Sequence, residues 1–355
     1  LNMSHLEERM EHDLNLIRDH LWKLGDDVEN AVRNAKKQLV LRDAEQAYEL
    51  ILGDHPINRA SRECDRMCHT FIARYLPGAG ALRELASTMR VNITLERVGD
   101  YAVTICREAL QLDDPIPEKF AVRIDALGDD AIEILSASRS AFREGNADRA
   151  TELMQAAKRM EGRMDGFYEE LFAADDRMDG TTMMVIFVVF NMFKRVADQA
   201  KNICDQTVFA ARGIAKLPRV YRILLLDQPG SGRAQLATSI GRNIFPDTAE
   251  FTPVTPGVRD PLSEELNEFL SETGLPDEDL ETEQLEGLEH DISGFVVAVS
   301  LNGQVSDYID RVPFHTSALN WELPEGADRA GQYRYLRDQI IQLVILLAGD
   351  SSKQA

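Results

Sequence analysis

One segment of this chain occurs twice, and that duplication limits the folds open to it. Arg97-Val98-Gly99-Asp100-Tyr101-Ala102-Val103-Thr104-Ile105-Cys106 aligns with Arg195-Val196-Ala197-Asp198-Gln199-Ala200-Lys201-Asn202-Ile203-Cys204 at a constant offset. The same offset carries Val91, Leu95, Val98, Ala102 and Ile105 onto Val189, Phe193, Val196, Ala200 and Ile203. These positions advance by alternating steps of four and three, the spacing of an apolar stripe on one helix face. Two helices carrying the same stripe read as the seams of two related bundles.

The boundaries follow from glycine and proline. Residues 4–112 read as three long helices, punctuated at Gly53/Pro56 and Pro77-Gly78, with a linker from Leu110 to Pro117. A second helical repeat, 118–213, runs from about Phe120 to Arg212 with breaks near Gly145 and Asp179-Gly180. Gly213 and Pro218 close it. From Tyr221 short apolar runs, Ile223–Leu226 and Phe295–Val299, alternate with helical segments, the βα texture of a third domain over 220–350. The expected fold is multi-domain: an all-α part of two tandem three-helix bundles, then a small C-terminal three-layer α/β domain with a parallel sheet.

Charge narrows the function. The 355 residues carry a formal net charge of −21. Residues 222–355 hold 23 acidic and 9 basic side chains, a net −14. Such a balance excludes a sequence-independent nucleic-acid binder and disfavours adsorption on anionic lipid. Cys64, Cys68, Cys106 and Cys204 form no Cys-x-x-Cys pair, and no apolar leader precedes the first helix, so reduced thiols and a cytoplasmic location are expected. The most apolar run, Met183–Phe190 with Met192 and Phe193, falls short of the roughly 20 residues that span a bilayer and reads as a buried helix.

Glu96 and Asp100 stand four apart, so both leave one helix face, about 100° round from the apolar stripe. Two hard oxygen donors on one turn suit Mg²⁺, Ca²⁺, Mn²⁺ or iron, with Asp54, Asn58 and Asp65 as further donors from the preceding helix. A solvated acidic face, with the carboxylates paired to Arg97 or Arg90, is the plainer alternative. Cys64, Cys68 and His69 invite a soft-metal reading, but small buried hydrophobes account for the cysteines.

Leu95-Glu96-Arg97-Val98-Gly99-Asp100-Tyr101-Ala102 resembles the signature helix of the PhoU family of phosphate-transport regulators, as do Asp54-His55-Pro56-Ile57-Asn58 and Ala81-Leu82-Arg83 upstream. The resemblance spans residues 5–213. It implies a cytoplasmic, non-catalytic adaptor between the ATPase of a phosphate ABC transporter and a phosphate-sensing histidine kinase. It implies membrane association only through those partners, and it allows a homodimer. It also implies metal (iron, manganese, magnesium, calcium or zinc) on the Glu-x-x-x-Asp motif. The second repeat departs from the pattern. Lys194 stands where the first repeat has Glu96, beside Asp198, with Glu161 and Asp165 on the preceding helix as partial replacements.

Further along, Arg222–Leu226 reads as a buried strand feeding the glycine-rich loop Asp227–Arg233 and then a helix, an arrangement that cradles anions. Residues 220–350 resemble the low-molecular-weight protein tyrosine phosphatase and arsenate reductase fold. That family's Cys-x5-Arg-Ser/Thr loop appears here as Asp227-x5-Arg233-Ala234, with Gly230 and Gly232 kept. Asn320–Glu325 resembles its Trp-Pro-Leu-Pro-Asp segment, which carries the general acid, and a final helix over about Tyr333–Ala348 fits as well. The resemblance implies thiolate chemistry, and Asp227 supplies no thiolate. A degenerate, pseudo-phosphatase domain is therefore expected, with Arg233 a structural partner for Asp227. An active phosphatase or arsenate reductase, and a metal-binding scaffold, are the rival readings.

Overall fold

A computed structural model describes residues 5–161, 167, 170–171, 178–213, 220–288, 292–313, 316–324 and 326–349. The chain divides into two compact units, Leu1–Lys216 and Leu217–Ala355.

The first unit is helical. Its first repeat holds α1 (His5–Leu41), α2 (Ala44–Leu52), α3 (Asp54–Tyr75) and α4 (Ala79–Ala109). The first helix expected from sequence is thus two helices, parted at Arg42, whose φ is 51°. Asp43 caps α2 through the amides of Glu45 and Gln46, and α2 ends at the expected break, Gly53, while Pro56 sits harmlessly in the first turn of α3. The second repeat holds α5 (Glu118–Glu144), α6 (Ala147–Glu161) and α7 (Gly180–Arg212). Gly145 and Gly213, at φ 64° and 67°, end α5 and α7 in the left-handed conformation that favours glycine. Asp179 caps α7, accepting from the Thr182 amide at 2.8 Å.

The stripes meet. Val91, Leu95, Val98, Ala102 and Ile105 of α4 and Val189, Phe193, Val196, Ala200 and Ile203 of α7 are all buried in one hydrophobic core shared by both repeats. Tyr101 and Gln199, repeat equivalents 98 positions apart, touch through a 3.3 Å hydrogen bond from the Gln199 amide. Contact between equivalent positions is what an approximate two-fold axis between the repeats produces. The first helices of each repeat are also tied. Arg139 of α5, 5% exposed, donates to Glu29 and Asp26 of α1, each at 2.6 Å, and to the Trp22 carbonyl at 3.1 Å. Its guanidinium needs Gly25 beneath it, where a Cβ would lie 2.3 Å from Arg139 Nε.

By length and composition α7 is long and apolar enough to cross a membrane, more than the short run Met183–Phe190 suggested. Its apolar face, from Val185 to Ile203, is nevertheless spent on the protein core.

The second unit carries a five-stranded, all-parallel sheet in the order β3-β2-β1-β4-β5. The strands are β1 (Tyr221–Leu226), β2 (Ala249–Thr255), β3 (Glu283–Gln284), β4 (Val297–Ser300) and β5 (Ser317–Asn320). Central β1 is apolar on both faces, as a covered parallel strand must be. Ile223 and Leu225 pack with α8 (Arg233–Ile244), α9 (Glu264–Thr273) and α11 (Arg329–Ala348). Leu224 and Leu226 face a thinner layer built from α10 (Leu285–Leu288), Ile292, Val305 and Ile309. The three layers expected from sequence are therefore unequal, with all the longer helices against one face. β1 pairs with β2 on one side and β4 on the other, so the chain reverses its direction of sheet growth at β1. Its carboxyl end is where ligand crevices of open parallel sheets form.

Candidate functional site

Two constellations came from the sequence, one per unit. The first gathers on α3 and α4. Burial, followed by the charges of Asp100 and Asp54, holds the Glu96 carboxyl above the usual carboxylate range, with Arg97 pulling the other way. Burial and then Asp54 raise Asp100 likewise. Among the described residues neither side chain has an ion pair, and Arg90 is engaged elsewhere, 3.4 Å from Gln206 and over the Phe209 ring. Asn58 donates to Asp54 Oδ2 at 2.5 Å, which leaves Asp54 Oδ1 and Asn58 Oδ1 buried without a hydrogen-bond partner. The structure therefore brings Asp54, Asn58, Glu96 and Asp100 together as uncompensated oxygen acceptors. They do not form a closed cage: among the described residues no three His, Cys, Asp or Glu side chains are arranged to hold one metal. A hard cation here would keep much of its water.

The remaining candidates lie apart. Asp198 and Lys194 are on α7 in the second repeat, both half-buried. Asp165 and the side chain of Glu161 lie outside the described residues. Cys64 and Cys68 point into the core while His69 is exposed, its Nδ1 2.8 Å from the Asp65 carbonyl, so the three make no common site. All four thiols are buried. Burial pushes Cys106 up to about 11 and, with Asp205, Cys204 up to about 12.

The second constellation is the loop after β1. Asp227 is 1% exposed. Its Oδ2 accepts from the amides of Arg233 and Ala234, each at 3.0 Å, and from the Ser231 hydroxyl. Its Oδ1 accepts from the Gln228 amide at 2.8 Å. These are the donors at the start of α8 that would hold an oxyanion. Asp260 takes the Gly230 amide at 2.6 Å. The cradle is thus filled by carboxylates of its own chain. Burial raises the Asp227 carboxyl above the ordinary aspartate range, against the lowering effect of Ser231, the Ala234 and Gln228 amides and the Arg233 charge. Gly230 and Gly232 turn the loop at φ 79° and 70°, and a Cβ at Gly232 would press on Leu266 at 3.0 Å. Arg233 serves Asp227 through its backbone amide, whereas its guanidinium donates to the Leu301 carbonyl at 3.2 Å. The partnership expected from sequence is real but is not an ion pair. Asp260 was missed. It lies beyond β2, and nothing in the sequence around it marked it as a loop ligand. Glu325, expected at the general-acid position, lies outside the described residues.

The helical unit can now be placed among known proteins. Residues 21–109 match the PhoU domain family. A PhoU homolog of Pseudomonas putida, named as a phosphate-specific transport system accessory protein, is 27% identical over 212 residues, 59% of this chain and 83% of that protein. The Escherichia coli K12 accessory protein PhoU is 26% identical over 217 residues, 60% of this chain and 90% of its own length. The crystal structure of PhoU from Pseudomonas aeruginosa superposes with a TM-score of 0.55 at 27% identity, covering 57% of this chain and 99% of that one. PhoU from Streptococcus pneumoniae, at 23% identity and TM-score 0.54, shares the fold. The PhoU likeness is thus about as long as the helical unit.

Proposed function

We propose that this chain is a PhoU-like cytoplasmic regulator of phosphate uptake and phosphate-starvation signalling. Its helical unit acts as a non-catalytic adaptor, docking on the ATPase of a phosphate ABC transporter and on a phosphate-sensing histidine kinase. The carrying observation is the likeness of about 60% of the chain to PhoU accessory proteins that are themselves matched over most of their length. The C-terminal unit is a pseudo-phosphatase-like binding domain in this reading. Its support is the Asp227 carboxylate, which consumes the amides that a substrate oxyanion would need. Asp54, Glu96 and Asp100 are the place for a hydrated divalent or trivalent cation, supported by their mutual repulsion and by the absence of an ion pair among the described residues.

Pairwise binding of the purified full chain to the transporter ATPase and to the kinase tests the adaptor role. So does its ability to restore phosphate repression in a strain lacking its own PhoU. Binding to neither partner together with no restoration overturns the proposal.

A further inference from the structure

The helical unit contains a cleft of about 480 Å³ apart from the carboxylate motif, at the edge of the repeat seam. It opens between α1, α4, α5 and α7, and its volume is that of a small-molecule site. Its floor is apolar: Leu21, Val91 and Leu95 are buried there, and Phe142 is half-buried beside them.

The polar groups that line it are unevenly matched. Thr88 is 3% exposed and lines the cleft, yet its hydroxyl has no hydrogen-bond partner among the described residues. Arg143 lies with its guanidinium 4.4 Å from the Trp22 ring centroid and has no carboxylate partner among the described residues. The neighbouring Arg139 and Arg18 are already saturated by Asp26, Glu29 and Glu84. At one end lies Gly80, in the first turn of α4, whose N-cap Gly78 offers no side-chain acceptor. Asp19, Glu84 and Glu144 also line the cleft; Glu84 is held by Arg18, and Asp19 and Glu144, like Arg143, stand exposed at its rim. Among the described residues, Arg143 and the Thr88 hydroxyl are thus the donors of the cleft left without an acceptor, beside an apolar floor.

We infer that this cleft binds a small amphipathic anion: an aliphatic or aromatic body lying on Leu21, Val91, Leu95 and Phe142, with a carboxylate or phosphate monoester reaching Arg143 and Thr88. Inorganic phosphate alone does not suit it, because it would leave the apolar floor facing water. The inference stands independently of the partners proposed above.

The test uses the full chain and two fluorescent probes, 1-anilinonaphthalene-8-sulfonate and its uncharged relative N-phenyl-1-naphthylamine. The expected result is one saturable site for the sulfonate and at least tenfold weaker binding of the uncharged probe. Arg143→Gln and Thr88→Val should each weaken the sulfonate several-fold, with the circular dichroism spectrum unchanged. Ala211→Phe, at the exposed mouth, should abolish it. Displacement by octanoate assigns a carboxylate headgroup, and displacement by hexyl phosphate a phosphate monoester. The inference is overturned by displacement with neither, by equal binding of the two probes, or by sulfonate binding that survives Ala211→Phe.

Discussion

Removing Asp227 should open an anion site that the wild-type protein keeps shut. In Asp227→Ala the amides of Gln228, Arg233 and Ala234 and the Ser231 hydroxyl lose their acceptor. An orphaned buried donor costs about 1–3 kcal/mol, but removing the carboxylate also relieves the cost of burying a charge, and water enters the space left behind. The net loss for the C-terminal unit should be about 2–4 kcal/mol. At roughly 3–5 °C per kcal/mol for a domain of this size, its unfolding midpoint should fall by about 6–20 °C. A tetrahedral oxyanion can replace the missing carboxylate. At a hundred times its dissociation constant it returns about 2.7 kcal/mol. Calorimetry of the wild type and the variant, in phosphate or sulfate against chloride at matched ionic strength, reads both effects. The expected pattern is specific oxyanion rescue of the variant with little response from the wild type. A variant as stable as the wild type, or a wild type that phosphate stabilises just as strongly, would refute the view of Asp227 as a resident anion.

Other expectations are simpler to check. Gly25→Ala places a methyl against the Arg139 guanidinium, which must swing off Asp26 and Glu29, and should destabilise the helical unit by about 1–3 kcal/mol in urea unfolding, the cost of losing charge-assisted hydrogen bonds. At pH 8 the thiolate of Cys106 should be on the order of one part in a thousand, so native protein should resist alkylation while urea-unfolded protein labels at all four cysteines. The same shift has a sign. The folded pKa values of Cys106 and Cys204 are raised, so their stabilisation is present below the unfolded value near 8.5 and is lost as pH climbs through about 11 to 12. Metal analysis after dialysis should find an oxygen-preferring cation that Glu96→Ala with Asp100→Ala releases, and equal occupancy in the double variant would remove the carboxylate site. Cleavage near Leu217 should yield two soluble pieces, the N-terminal one almost wholly helical by circular dichroism; aggregation of both would mean the units share more than a linker.

The elements most legible in sequence were those with a strong period or a definite terminator. The α4 and α7 stripes, the Asp179 cap and the glycine stops at 145 and 213 all sit where their residue types place them. The split of the first helix at Arg42 was harder to foresee. Arg42 takes a left-handed φ of 51° although it is not a glycine, so nothing in its own chemistry demanded a break. The site was legible by half. Proximity of Asp54 to Glu96 and Asp100 follows once two neighbouring helices are aligned. Closure of the loop by Asp260, and the direction taken by the Arg233 side chain, depend on how distant strands of the sheet bring loops together, and local sequence does not encode that.

The contact between Tyr101 and Gln199 sets this chain apart from a pair of identical subunits. In a true two-fold dimer a residue on the axis faces its own copy, so only self-complementary side chains serve there, and any substitution is felt twice. Covalent fusion lifts both constraints. A phenol can meet an amide, and Glu96 can be kept on one side while Lys194 replaces it on the other. Fusion also frees the assembly from mass action: the two halves stay paired however little of the protein the cell makes, so dilution cannot silence one half by separating it from the other.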